Sequence, residues 1–222
     1  MDSPSVLIGI PHRDQVLVDP KFITSLFANV FTSAEAGITV GLHQAFGHPL
    51  DHVRNSIVNY FLSQTKATHL FFLDSDVLPP PDVIHRLLKR GAPIISGLYY
   101  ERRQEHRPII IDTPKSRDGR LLFCFRYRHR PPKNKLVACD VVPAGCLLIE
   151  RSVFHKLPQP WFHIDKKYGE DVYFSLCARR AGYGLLVDTG VDCLHIVTHV
   201  AGSDEAVERW KRAFNFTVAT PD

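Results

Sequence analysis

The chain reads as an α/β domain with a mostly parallel central sheet flanked by helices, and three observations predict it. Short apolar runs alternate with stretches of helical period through the first hundred residues. Proline and glycine punctuate the joints between them. The third apolar run ends abruptly on two carboxylates, and the carboxyl ends of parallel strands are where open α/β sheets bind ligands.

The elements follow in order. "SVLIGI" is the first strand, and a helix runs from about Pro20, where proline suits a first turn, to about Ser33. "GITVGL" is the second strand. In "PLDHVRNSIVNYFLSQ" Val53, Ile57, Val58 and Phe61 fall at helical spacing. "HLFFL" is the third strand. Val83, Ile84, Leu87 and Leu88 mark a helix stopped at Gly91, and "APIISGLYY" is a fourth strand. The rhythm breaks at 101–135, which is polar, arginine-rich and broken by prolines, with "RLLFCFRYR" as a β-ribbon inside it. "LVACDVVPAGCLLIERSVF" resumes strand character and leads into a short helix. A helix from Glu170 to Ala181 ends at Gly182, "YGLLVD" and "VDCLHIV" are two further strands, and "SDEAVERWKRAFNF" is a terminal helix.

At 222 residues the length favours one domain. A hydrophobic content of 45% with 23% charged residues is ordinary globular composition. No apolar run reaches the roughly 18–20 residues of a membrane span, and the N-terminus lacks signal-peptide character. Five cysteines without a C-x-x-C pair read as reduced and structural, which suits a cytoplasmic location. The formal charge is +4, yet residues 101–135 hold eight Arg and three Lys against two Glu and two Asp, a net of +7. Such a segment is either a solvated loop or a surface that meets an anion.

Asp74-Ser75-Asp76 carries the chemistry. Two carboxylates about 5 Å apart repel by roughly 3 kcal/mol at an effective dielectric near 20. No Lys or Arg occupies the nine residues after Asp76, and three prolines stiffen the turn. A hard divalent cation, Mg²⁺ or Mn²⁺, would relieve the repulsion, and such ions are commonly shared between one or two carboxylates and phosphate oxygens. A bound diphosphate is the implied ligand.

"HVRNSIVNYFL", "FFLDSDVLPPPDVIHRLL", "VPAGCLLIERSVF" and "GEDVYFSLCARRAGYGLLVDTGVDCLHI", in this order across about residues 5–198, resemble the GT-A glycosyltransferases, especially the compact family-2 group. The resemblance implies one GT-A domain over 1–222, a Rossmann-like sandwich. Its nucleotide-sugar-binding half spans about 1–100, its acceptor side about 101–200, and a C-terminal helix or tail about 201–222. It implies that Asp76 binds the metal and that Asp74 holds the donor ribose or shares the metal, with Ser75 between. Pro11, His12 and Arg13 would grip the nucleoside, while Arg54 and Asn55 would meet a base edge or the pyrophosphate. His195 would be the third metal ligand, with His199 as the fallback. Asp171 would be the general base of an inverting transfer, with Glu170 on the acceptor. Gly145, Trp161, Tyr168 and Gly169 fall on the acceptor side. The partners are a nucleotide-diphosphate sugar and a hydroxyl acceptor. The basic segment suits an anionic acceptor: nucleic acid, glycan or lipid.

Bland structural readings stand beside these. Acids at a helix start complement its dipole, and Trp161 and Tyr168 suit core packing equally well. A non-catalytic nucleotide-sugar binder is one alternative. An aspartate-nucleophile phosphatase is another, disfavoured because two β-α units precede the D-x-D and no second acid follows "GED" four residues on.

Overall fold

The computed structural model describes residues 4–13, 18–102, 106–113, 126–196, 200, 201, 203, 205 and 209. The first half is a β-α series: β1 (Ser5–His12), α1 (Pro20–Glu35), β2 (Thr39–Phe46), α2 (Leu50–Gln64), β3 (His69–Leu73), β4 (Val77–Leu78), α3 (Val83–Lys89) and β5 (Ile94–Leu98). The second half holds β6 (Ile111–Asp112), β7 (Arg126–Tyr127), β8 (Leu136–Cys139), β9 (Cys146–Glu150), α4 (Arg151–Lys156), α5 (Glu170–Arg180), β10 (Leu185–Asp192), β11 (Leu194–Ile196) and β12 (Val200–Ala201).

Seven strands form the central sheet in the order β2-β1-β3-β9-β5-β10-β8. β1, β2, β3, β5 and β10 share one direction, and β8 and β9 oppose it. The expected mostly parallel sheet flanked by helices is therefore present, and the fold is of GT-A type. Two large apolar clusters cover its faces. One gathers α2, α4 and α5 around Ile57, Phe61, Phe154, Phe162 and Phe174; the other gathers α1 and α3 around Phe22, Ile84 and Leu87. The strands are buried on both faces, so they are continuous apolar runs such as Leu70–Leu73 rather than alternating ones.

Three local differences have physical causes. The second strand starts at Thr39 instead of Gly37, because Gly37 takes φ +72° in the turn that closes α1. The break expected after Asp188 lies inside β10. There Asp188, wholly buried, is held by Arg90 Nε at 2.7 Å and by the Gly190 amide at 2.8 Å, and the pairing with β5 shifts register between Asp188 and Asp192. The "VPAGCLLIE" strand, β9, enters antiparallel between β3 and β5. That insertion positions the site, because an antiparallel neighbour sets its own beginning against the end of β3.

Cys139, Cys146, Cys177 and Cys193 are buried free thiols; Cys124 lies outside the described residues. Most of the "RLLFCFRYR" ribbon does too, though Arg126–Tyr127 pair with Ile111–Asp112. Only Glu205 and Arg209 of the expected terminal helix are described beyond Ser203. Among the described residues no helix is long and apolar enough to cross a membrane.

Candidate active site

The D-S-D turn leaves β3 at the carboxyl edge of the sheet. Its backbone is tied on both sides: the Asp74 amide donates to the Gly145 carbonyl at 2.9 Å, and the Ile196 amide donates to the Asp76 carbonyl at 2.6 Å. Gly145 immediately precedes β9, so the antiparallel strand delivers it here. Its own amide donates to the Tyr99 hydroxyl at 2.9 Å. A Cβ at this position would sit 2.6 Å from that hydroxyl and 3.0 Å from Asp74 Oδ2. Glycine is thus required by close approach. Gly145→Ala is expected to destabilise the fold by about 1–3 kcal/mol in urea titrations, and adding Tyr99→Phe should recover part of that loss.

Both aspartates have cationic partners, which corrects the expectation that Lys and Arg were out of reach. Arg54, on α2, is wholly buried. Its Nη2 donates to Asp74 Oδ1 at 2.9 Å and Oδ2 at 3.1 Å, and its Nε donates to Glu170 Oε1 at 3.1 Å. Its guanidinium carbon lies 5.2 Å from the Phe72 ring centroid. Burial alone would lower its pKa, but Asp74 and Glu170 outweigh burial and raise it, so the cation is locked in. The sequence reading gave Arg54 to the donor; the structure shows it clamping the D-x-D turn to the first residue of α5. Asp76 pairs with Arg102, whose Nε also donates to His195 Nε2 at 3.0 Å. His195 Nε2 lies 3.5 Å from Asp76 Oδ1, and its Nδ1 is held by the Tyr100 carbonyl at 2.6 Å. Desolvation lowers the His195 pKa, with Arg102 adding to it against the pull of that carbonyl. The ring is therefore neutral, with Nδ1–H donating to the Tyr100 carbonyl and the Nε2 lone pair accepting from Arg102 Nε beside Asp76.

Asp171 follows Glu170 on α5. Its carboxyl is pushed up to about 6, first by burial and then by the charge of Glu170, with Asp74 adding. The Val172 amide, donating to Oδ1 at 2.7 Å, and Arg54 oppose that rise. Burial likewise pushes the Tyr99 phenol well up, and Asp74 and Asp171 push the same way. Tyr99 and Arg102 escaped the sequence reading. Tyr99 immediately follows β5 in "IISGLYY", and its place just past a strand end was the available signal.

A cleft of about 360 Å³ opens over the D-S-D turn, with Glu170, Asp171 and His195 behind its lining residues rather than among them. Pro11, Arg13, Asp74, Ser75, Asp76 and Arg102 line it, together with Asp19, Leu50 and Ile196. Four other predicted residues point elsewhere. The His12 ring is buried, stacked on Phe46 with centroids 4.6 Å apart, and its Nε2 meets Gln44 Oε1 at 3.0 Å. Asn55 donates to the Phe162 carbonyl at 2.7 Å and accepts from the Trp161 and Phe162 amides, so it holds the 161–164 loop that leads to α5. Trp161 is buried and donates from Nε1 to the Phe154 carbonyl at 2.9 Å, which leaves no ring face for a sugar. Tyr168 packs beside Ile111, Val141 and Val172. Gly169 caps α5, and a Cβ there would make only ordinary contact with Asp171 Oδ1 at 3.4 Å. His199 lies outside the described residues.

The donor set fits a divalent ion in chemistry. Asp76 and the neutral His195 nitrogen are one carboxylate and one imidazole side by side, and the Tyr100 carbonyl fixes the ligating tautomer. The group as a whole sets four carboxylates (Asp74, Asp76, Glu170, Asp171) against two guanidiniums, leaving negative charge for a cation to balance. Among the described residues no three His, Cys, Asp or Glu side chains converge as a ready ligand cage. A two-ligand site completed by substrate oxygens is what magnesium and its relatives commonly use.

No family profile and no curated protein matches the chain. Solved structures do share its fold. The crystal structure of A197 from STIV matches at a TM-score of 0.56 with 17% identity, covering 86% of this chain and 85% of that one. The crystal structure of GalNAc-T7 with UDP, GalNAc and Mn²⁺ matches at a TM-score of 0.50 with 13% identity, covering 96% of this chain and 47% of that one. This chain therefore spans about half the length of the latter.

Proposed function

We propose that the protein is a metal-dependent glycosyltransferase that moves a sugar from a nucleotide diphosphate donor to a hydroxyl acceptor. One observation carries the reading. Buried Arg54 binds Asp74 and Glu170 at once, so the D-x-D turn and the acidic start of α5 form one electrostatic unit beside a cleft of donor size. The solved neighbour with UDP, GalNAc and Mn²⁺ supports it at the level of fold.

Within this reading Pro11, Arg13, Ser75 and Asp19 border the space for the nucleoside and pyrophosphate. Asp76 and His195 would hold the divalent ion, Mn²⁺ or Mg²⁺, which when bound stabilises charge on the leaving nucleoside diphosphate. Arg102 occupies the same two acceptor atoms, so it must turn away when the ion binds. Once free, it remains a cation at the mouth of the cleft. Asp74, neutralised by Arg54, positions the turn and faces the ribose. Asp171 takes the acceptor proton as the hydroxyl attacks the anomeric carbon. A base with a pKa of about 6 is ionised at neutral pH yet still basic enough for that proton. An anionic acceptor would suit the basic 101–135 segment, which supplies Arg102 to the cleft rim.

Asp76→Ala should weaken Mn²⁺-dependent donor binding at least tenfold in calorimetric titrations of UDP- and GDP-sugars. Equal binding by the variant would remove Asp76 from the metal role. The same titration series tests the function itself: no donor binding with Mn²⁺ or Mg²⁺ by the wild-type protein ends the proposal. Donor binding without hydrolysis or transfer would favour the non-catalytic binder.

A further inference from the structure

One edge of the central sheet carries an apolar face that the proposed transfer does not use. β2 is the terminal strand on the side away from β8, paired with β1 along its full length from Thr39 to Phe46. Among the described residues nothing pairs with its other side. Monomeric proteins usually protect such an edge with charged residues, proline or bulges. "TVGLHQAF" has none of these: no Lys, Arg, Asp, Glu or proline, and an unbroken register. His43 lies flat on Tyr60 with ring centroids 3.7 Å apart, and desolvation lowers its pKa, so it adds no charge.

The side chains beside this edge are apolar and uncovered. Leu42 is 46% exposed and Phe46 62%. They share the strand face that carries Val40, which packs with the α1 side of the core. On α1, Ile23, Phe27 and Phe31 repeat every four residues and are 40%, 58% and 65% exposed. Their stripe lies on the flank away from Ser25 and Thr32, which hydrogen-bond toward Pro79 and Pro81 beside α3. It therefore turns toward β2. Lys21 and Glu35, at the two ends, are the only charged residues of α1, and Lys21 sits 3.9 Å from Asp19.

We infer that β2 and the Ile23–Phe27–Phe31 stripe form the interface of a two-fold symmetric homodimer, with the sheets joined by antiparallel pairing of β2 with its copy. Three features select a second copy of this chain. The strand is uncharged, so antiparallel self-pairing meets no like-charge repulsion. A register with Gln44 opposite its own copy sets Leu42 against Phe46 of the partner subunit on the α1 face, where the two stripes close over them. The five side chains expose on the order of 500 Å² per copy, and with the strand backbone this approaches the roughly 800 Å² per partner of a standard interface. A lipid surface fits less well. It cannot satisfy the free N–H and C=O groups of the strand, and the patch lacks the basic rim of interfacial helices.

Sedimentation equilibrium of the full chain across the micromolar range tests this. A concentration-dependent dimer is expected, and Phe27→Asp with Phe31→Asp, or Leu42→Lys alone, should weaken it at least tenfold. Circular dichroism should stay unchanged, because these side chains are exposed. Gln44→Cys should give a disulfide-linked dimer under mild oxidation that wild-type and Thr24→Cys protein do not. A wild-type monomer at every concentration overturns the inference. So does a dimer indifferent to all three surface changes, or vesicle flotation abolished by the Phe27/Phe31 pair without a dimer in solution.

Discussion

Arg54→Met is expected to lower the melting temperature by about 6–20 °C, which is what a loss of about 3–5 kcal/mol means for a domain of this size. The side chain is wholly buried between Asp74 and Glu170, and methionine keeps much of its volume while removing the charge. Both carboxylates then lose their common partner, and breaking a buried pair from one side is far more damaging than the net worth of the pair. A second readout separates this from simple cavity formation. Arg54 also holds the Asp171 pKa down, so the variant's Asp171 should titrate above the wild-type value of about 6. Arg54→Lys should rescue little, because an ammonium cannot offer the Nε–Nη fork that reaches two acceptors. A melting temperature within about 2 °C of wild type would contradict the clamp.

Asp171→Asn is expected to retain donor binding and lose transfer by about 10²–10⁴. In the wild-type protein the rate should rise with pH through about 6, because the carboxyl must be ionised to accept the proton. The variant's residual rate should lack that inflection. Stability should move the opposite way. A carboxyl whose folded pKa lies above its unfolded value costs stability once it ionises, so the cost is absent in acid and complete above about 6. Asp171→Asn should therefore be more stable than wild type at neutral pH, by about 1–2 kcal/mol given its partial contact with solvent. That advantage should fade as pH drops through 6 toward the ordinary carboxylate range. Equal turnover of the two proteins at pH 7 would take the base role away from Asp171, whereas loss of donor binding would mark the residue as structural.

The cation question shows where local reasoning stops. Around Asp74 and Asp76 the sequence offers no base, and a metal is the natural remedy. In the fold, Arg54 stands 20 positions upstream and Arg102 lies beyond a whole β-α unit, yet both reach the turn. Neither pairing has a spacing signature. The metal site proposed above is narrower than that expectation, resting on Asp76, the fixed tautomer of His195 and the excess of carboxylates.

Among the described residues the sequence by itself determined most element types and their order: apolar runs set the strands, the 3.6-residue period set the helices, and Gly91 and Gly182, both at positive φ, ended two of them. It also marked the acidic turn and the Glu170-Asp171 helix start, because those signals are carried by adjacent residues. Only the tertiary structure decided that β9 runs antiparallel between β3 and β5, that Gly145 therefore meets Asp74, and that Asn55 and Trp161 hold a loop and a core. Local conformational preference acts over a few residues and is written in them. Strand order and side-chain pairing instead come from many weak contacts summed across the whole chain, and no short stretch contains that sum.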